Sequence, residues 1–470
     1  MDVFFQGEWR GSDAEFPVRN PYDGSVIDTV PSLGPAEVEL AIAGAVQGAV
    51  TMRALPAYER SAILRRAAGI LRNRQEEIGT LISREEGKIL AEGIGETGRA
   101  VETLELSADE AKRLGGEVLP LDGAPGTAGC LGFTLRVPCG VVAAITPFNF
   151  PLNLVCHKVG PALAAGNSVI IKPASETPLS ALKLVEILLE AGLPALGIAC
   201  LTGRGETIGA PLCRDPRIRK ISFTGSVPVG QAICQMAGLK RVTMELGSNS
   251  PIIVMDDADL DLVVRATVAS GFANAGQVCI SAQRLIAHQR IHSDLLDALL
   301  PAVQALSVGD QLADGTCIGP MIHEREAIRV GKWIAEAVSG GAELLCGGDR
   351  SGALAQPALL AAVTPDMRLS RDELFGPAVG THSVDSFDGA IAMANDSRYG
   401  LSASIFTRDI DRAIDFARRV DSGNLHINWG PAWRADLMPY GGLKASGLGK
   451  EGPRYAIEEM SELKAVVIHR

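Results

Sequence analysis

Between residues 139 and 246 the chain alternates short β-branched runs with helical segments, and few features restrict a fold as tightly. The runs are GVVAAITP, NSVIIKPA, GIACLTG and IRKISFTGS. Helices are suggested by PLSALKLVEILLEAG, ETIGAPLCR and PVGQAICQMAG, which lie between or after them. Strands that alternate with helices in this way predict a parallel sheet covered on both faces, an α/β fold. Ligands of open α/β sheets bind beyond the carboxyl ends of the strands. The residues ending these runs are Asn149, Lys172, Ser175, Gly203, Gly225 and Glu245.

A second alternation begins at SPIIVMDDADLDLVVRATVASGF and runs through QRLIAHQRIH, ALAQPALLAAV, LSASIFTRDIDRAIDFARRV and GNLHINWG. It predicts another α/β unit over roughly 247–445. Residues 35–114 read as successive amphipathic helices, with apolar and alanine positions at helical spacing. Glycine and proline then break the pattern at GGEVLPLDGAPGTAGC, and the strand-like LGFTLRVP makes 115–138 an excursion from the main fold. The terminal KAVVIHR carries an apolar strand that could pair with this excursion or with another subunit. An exposed strand usually finds a partner, so a homodimer or homotetramer is expected. The chain thus divides into 1–114 with 139–246, then 247–445, then 115–138 with 446–470.

A length of 470 residues, 47% of them apolar, exceeds one ordinary core. With 44 basic against 55 acidic residues the net charge is −11, and no basic block offers a surface for nucleic acid or anionic lipid. Small molecules are the expected partners. The nine cysteines form an odd set without CxxC or zinc-like spacing, so a reducing compartment and no metal site are expected. MDVFFQGEWR lacks the layout of a secretion signal and no apolar run reaches spanning length, which points to a cytoplasmic protein.

Cys279, in NAGQVCISAQR, follows a helix expected to stop at Gly276, on the kind of connection that often holds catalytic groups. By itself it is either a small core residue or a nucleophile. Cys156, Cys200, Cys213, Cys234 and Cys346 fall inside apolar patterns, whereas Cys130, Cys139 and Cys317 lie near turns. A reactive thiol needs a base and an oxyanion donor. Glu245, at a strand end before a glycine turn, is either a turn or capping residue or a general base whose pKa burial raises. Asn149, between two aromatics and two prolines, is either a turn residue or an amide donor. Gly225 and Gly230 have GxxxxG spacing rather than GxGxxG, yet a helix starting after Ser226 still favours an anion such as pyrophosphate.

Eight motifs in order (PFNFPLN, KVGPALAAGNSVIIKPA, FTGS, MELGSNSP, NAGQVCISAQR, ELFGP, NDSRYGLSASIFT and PYGGLKASGLGKEG) make the chain resemble the NAD(P)-dependent aldehyde dehydrogenases over nearly its whole length. The resemblance implies a Rossmann-like cofactor domain (1–114 and 139–246), an α/β catalytic domain (247–445) and a small β oligomerisation element (115–138 and 446–470). It implies that Cys279 attacks the aldehyde, that Asn149 and the Cys279 N–H hold the oxyanion, and that Glu245 activates water to release the acid. Lys158 would hold hydrogen bonds beside Glu245, with Glu451 as its relay partner; either could equally be a surface charge. NAD or NADP would be held by Thr146, Pro147, Phe148, Lys172, Ser175, Gly205, Phe223, Gly225, Ser226, Glu373 and Phe375.

Two departures refine this. Serine at 175 stands where many NAD-preferring relatives carry a glutamate, which removes repulsion of a 2′-phosphate, so NADP should be tolerated. ELGSNSP replaces the commoner ELGGK, and the variant resembles the branch grouped with lactaldehyde dehydrogenases and similar to semialdehyde enzymes. Val278 occupies the place where phosphate-gripping relatives often have arginine, which favours a small neutral or hydroxylated aldehyde. Arg99, Arg434 and Arg454 could bind an acidic tail or serve as solvated or structural charges. The rival expectations are transfer of the acyl group to coenzyme A, against which Glu245 speaks, a non-catalytic protein of the same fold, and a thiol esterase.

Overall fold

The computed structural model describes residues 1–469. Five parallel strands form the centre of the first sheet, in spatial order Ile198–Cys200, Ser168–Lys172, Val141–Ile145, Ile218–Thr224 and Arg241–Glu245. Nearly every residue on these strands is buried, as expected when helices cover both faces of a parallel sheet. Helices Pro35–Ala54, Asn153–Ala164, Leu179–Glu190 and Val227–Ala237 supply that cover. Antiparallel strands close the edges: Val3–Phe5 and Glu8–Arg10 on one side, Gly447–Leu448 on the other. The opening of the chain is therefore part of the sheet.

The register matters for function. Ile145 lies opposite both Lys172 and Phe223, and Thr224 opposite Glu245, so the strands end level with one another. The turns after them, around Thr146, Pro173, Gly225 and Leu246, form one continuous rim.

From Glu245 the chain crosses in four residues to a second sheet, starting at Ser250–Val254. Its neighbours are Ala282–His288, Ala378–Val384 and Ala358–Ala361 on one side and Ser402–Phe406 and Asn424–Ile427 on the other, all parallel. Glu343–Cys346 adds an antiparallel edge. A third sheet pairs Ser461–Ile468 with Leu131–Pro138 along their whole length, and Val118–Leu119 with the latter. The segment 446–460, grouped by sequence with that sheet, instead supplies strand Gly447–Leu448 to the first sheet and helix Pro453–Glu459, which packs against helices of the first core.

Candidate active site

Helix Leu260–Gly271 ends five residues before the expected Gly276. The chain leaves it through three left-handed residues, Asn274 (φ 49°), Ala275 (φ 52°) and Gly276 (φ 70°), which cannot continue a right-handed helix. Compensating bonds hold this turn. The Asn274 N–H donates to Glu92 Oε1 (3.0 Å), and its side-chain amide donates to Glu86 Oε1 (3.0 Å) and the Asn149 carbonyl (3.3 Å). A Cβ at Gly276 would lie 2.2 Å from the Gly376 carbonyl oxygen, so only glycine fits. The turn presents Cys279 with its Sγ 3.1 Å from the Tyr440 hydroxyl. Burial pushes the thiol up to about 12, opposed by the Tyr440 hydrogen bond and by Arg434.

Asn149 is buried on the loop after strand Val141–Ile145, and its Nδ2 donates to the Gln277 carbonyl at 2.8 Å. Its own carbonyl accepts from Lys88 Nζ (2.6 Å). Lys88 is buried, ion-paired with Glu96 (2.7 Å), and lies 4.0 Å over the Phe150 ring. Glu96 in turn accepts from the N–H groups of Leu152 and Asn153 (2.9 and 3.0 Å). A buried ion pair from the helical half thus fixes the loop that carries Asn149. Sequence reasoning missed both residues. A lysine and a glutamate eight apart resemble an ordinary solvated face, and only their position under the loop distinguishes them.

Glu245 is buried, and neither carboxylate oxygen has a hydrogen-bond partner among the described residues. Burial and the neighbouring Glu451 carboxylate push its pKa well above the ordinary value, against the pull of Arg434, Lys158 and Lys450. The shift favours the protonated carboxyl and makes the ionised form a stronger base towards water than an ordinary glutamate. Burial works against ionisation of Glu451 too, but Lys158 and Arg434 override it and hold that carboxyl low. Lys158 donates to Glu451 Oε1 (2.6 Å) and Thr224 Oγ1 (2.7 Å). Both residues are buried, so the surface-charge alternative fails. Lys158 makes no hydrogen bond to Glu245; Thr224, opposite Glu245 in the sheet, is its nearest link.

Along the rim runs a cleft of about 900 Å³, with Cys279, Asn149 and Glu245 in its lining. Thr146, Pro147, Phe148, Lys172, Gly205, Phe223, Gly225, Ser226, Glu373 and Phe375 also line it. Ser175 does not; its hydroxyl donates to the Gly203 carbonyl at 3.1 Å. The lining suits a dinucleotide. Ser226 caps helix Val227–Ala237 without bonding its own helix, leaving its hydroxyl free at a terminus that favours phosphate. Pro228, Val229, Ile233 and Met236 offer an apolar wall for a flat base. Lys172 and Glu373 supply polar groups suited to sugar hydroxyls. Glu373 is fixed by the Ser248 N–H (2.9 Å), and burial pushes it up to about 7. A Cβ at Gly247 would lie 2.3 Å from the Glu373 carboxylate. The unusual ELGSN segment helps here, since Asn249 Nδ2 binds the carbonyls of Ser370 and Asp372 (3.0 and 2.9 Å) just before Glu373. Phe148 and Phe375 meet edge to face at 5.9 Å. Glu206, not singled out by sequence, also lines the cleft.

The three arginines separate. Arg99 is bidentate to Asp436 (3.0 and 2.8 Å), which also accepts from Asn153 and His157. The Arg434 side chain is 7% exposed, contacts Glu451 (3.3 Å) and His157, and lies 3.9 Å over the Tyr440 ring, while its Nε makes no hydrogen bond and lies 3.9 Å from Asp436 Oδ1. Arg454 lines a separate hollow with Glu110, Arg113 and Arg136.

With this arrangement goes a family: the chain belongs to the aldehyde dehydrogenases, whose sequence profile, "Aldehyde dehydrogenase family", matches residues 9–466. It is an NAD(P)-dependent dehydrogenase of aldehydes. It is 45% identical to 3-sulfolactaldehyde dehydrogenase of Priestia aryabhattai over 99% of this chain and 98% of that one. It is 38% identical to lactaldehyde dehydrogenase of Methanococcus aeolicus over 99% and 100%. Among solved structures, NADP-dependent glyceraldehyde-3-phosphate dehydrogenase from Bacillus halodurans, complexed with NADP, superposes with a TM-score of 0.97 at 38% identity, covering 100% of this chain and 99% of that one.

Proposed function

We propose that the protein oxidises a short polar aldehyde, a hydroxy-aldehyde or semialdehyde, to its carboxylic acid through a covalent bond to Cys279. One observation carries this reading: the Cys279 sulfur, the Asn149 amide and the unpartnered Glu245 carboxylate line the same cleft as the residues that suit a dinucleotide. Sγ of Cys279 adds to the aldehyde carbon, and the second N–H of the Asn149 amide with the Cys279 N–H steadies the oxyanion. Lys172, Ser226 and Glu373 would hold NAD(P)⁺ in the cleft, where it would supply the two-electron acceptor for oxidation of this adduct to the thioester. Glu245 then takes a proton from water as the water oxygen attacks the thioester carbon, and the sulfur leaves. Lys158 and Glu451 hold each other's charge behind this base.

The substrate side is supported by an apolar cluster of Val278, Ile280, Leu401 and Tyr440 beside Cys279, with Phe150 and Ala432 packed on it. Arg434, whose Nε makes no hydrogen bond, adjoins this cluster over the Tyr440 ring and provides the polar feature. The names of the relatives, lactaldehyde and sulfolactaldehyde dehydrogenases, agree with a small substrate carrying an oxygen-rich group. The exposed side chains of Leu131, Leu135, Leu463, Val467 and Ile468 on the third sheet support association of subunits through it. The deciding experiment is Glu245→Gln with lactaldehyde and NADP⁺. A single burst of reduced cofactor, about one per active site and without further turnover, is expected. Steady turnover at the parental rate would rule out Glu245 as the base.

A further inference from the structure

Tyr440 contributes no residue to the dinucleotide cleft, yet its hydroxyl lies 3.1 Å from the Cys279 sulfur. Among the described residues that sulfur is the hydroxyl's only hydrogen-bond partner. A buried phenol normally finds a partner, and here it is the reacting atom. The ring is fixed from several sides. The Tyr440 N–H donates to the Glu451 carbonyl (3.1 Å) and the Glu451 N–H to the Tyr440 carbonyl (2.7 Å), an antiparallel bridge that clamps the backbone. The Arg434 guanidinium covers the ring at 3.9 Å, and Val278, Ile280 and Leu401 pack against it. Burial keeps the phenol protonated, so towards a sulfur that has lost its proton it is a donor.

We propose that Tyr440 is a catalytic residue: its hydroxyl donates to the Cys279 sulfur, favours the thiolate over the thiol and aims the sulfur for attack. The proposal rests on Cys279 being the nucleophile. The balance is simple. The Cys279 S–H bond breaks and its proton passes to water, the electron pair stays on sulfur, and the Tyr440 O–H bond remains intact. The other charged groups facing the sulfur are Glu373 and Glu245, which disfavour the thiolate, and Arg434, which favours it. A hydrogen bond to an ion shifts such an equilibrium by roughly one to two pH units. Nucleophilicity falls as the thiol becomes more acidic, so the net gain in rate at neutral pH is roughly three- to tenfold.

The test is the rate of Cys279 alkylation by iodoacetamide, a neutral probe, in full-length enzyme with NADP⁺ from pH 6 to 10. Tyr440→Phe removes only the hydroxyl. We expect alkylation about three- to tenfold slower throughout pH 6 to 10, because a thiol pushed up to about 12 titrates above that range, and a slower first-turnover burst at unchanged KM. Tyr440→Met, which fills the space without a donor, should show the same loss. Rates equal to the parent's in both variants would overturn the proposal, as would a deficit in Tyr440→Phe that Tyr440→Met restores to the parent's rate, the mark of altered access rather than of a lost donor. Cys279→Ser separates the two readings: if it retains the rapidly labelled thiol, the nucleophile assignment fails rather than the role of Tyr440.

Discussion

Lys88→Met tests whether the buried ion pair under the Asn149 loop is what keeps the Asn149 amide, the proposed oxyanion donor, in place. The side chains of Lys88 and Glu96 are 1% and 0% exposed and 2.7 Å apart, so removing the ammonium strands a carboxylate where water cannot compensate it. Breaking such a pair costs about 3–5 kcal/mol. The substitution also removes the donor to the Asn149 carbonyl, and a reacting group displaced by about 1 Å loses on the order of a hundredfold in rate. Glu96→Gln keeps an acceptor for the Leu152 and Asn153 N–H groups but discards the charge. The double variant should therefore cost about 2–3 kcal/mol less than the two singles together. Urea unfolding followed by tryptophan fluorescence at one protein concentration measures the coupling, and initial rates of cofactor reduction measure the displacement. Strict additivity, or Lys88→Met enzyme with parental stability and turnover, would refute the reasoning.

Three further outcomes are expected. Gly276→Ala, which drives a Cβ to 2.2 Å from the Gly376 carbonyl at φ 70°, should lower both the melting temperature and the rate of Cys279 alkylation. Ser175→Glu, placing a carboxylate next to the rim, should lower kcat/KM with NADP by about tenfold or more while sparing NAD, as parallel kinetics with both cofactors would show. His157 is buried, which disfavours its charged form and lowers its pKa to about 4 from an ordinary 6.5. The unfolded chain then binds more protons between those values, so this group's stabilising contribution is present above pH 6.5 and lost as pH falls towards 4. Replacing His157 with asparagine should flatten the fall in melting temperature across that window.

The parallel strands were legible because each is a short, almost wholly apolar run bounded by turn residues, and their ends pointed directly to Asn149, Lys172, Gly225 and Glu245. Cys279 was legible only through the company it keeps. The end of its helix was not: Asn274 and Ala275 fit a helical pattern, and the left-handed turn they adopt is imposed by Glu86, Glu92 and the Asn149 carbonyl from the other half of the chain. Tyr440 and Lys88 escaped for the same reason. Their partners lie 161 and 61 residues away, and no local spacing encodes a contact that only folding creates. Ser175 shows the converse, a position read as a cofactor-binding residue that does not line the cleft and whose hydroxyl is turned to the Gly203 carbonyl.

The central claim is a carbon–sulfur bond at one residue, and mass spectrometry reads it directly. Glu245→Gln enzyme incubated with lactaldehyde and NADP⁺, quenched in acid and digested, should carry an added mass on the peptide holding Cys279 equal to the aldehyde less two hydrogen atoms. An unmodified Cys279 peptide after cofactor has been reduced, or an adduct on a different residue, would contradict it.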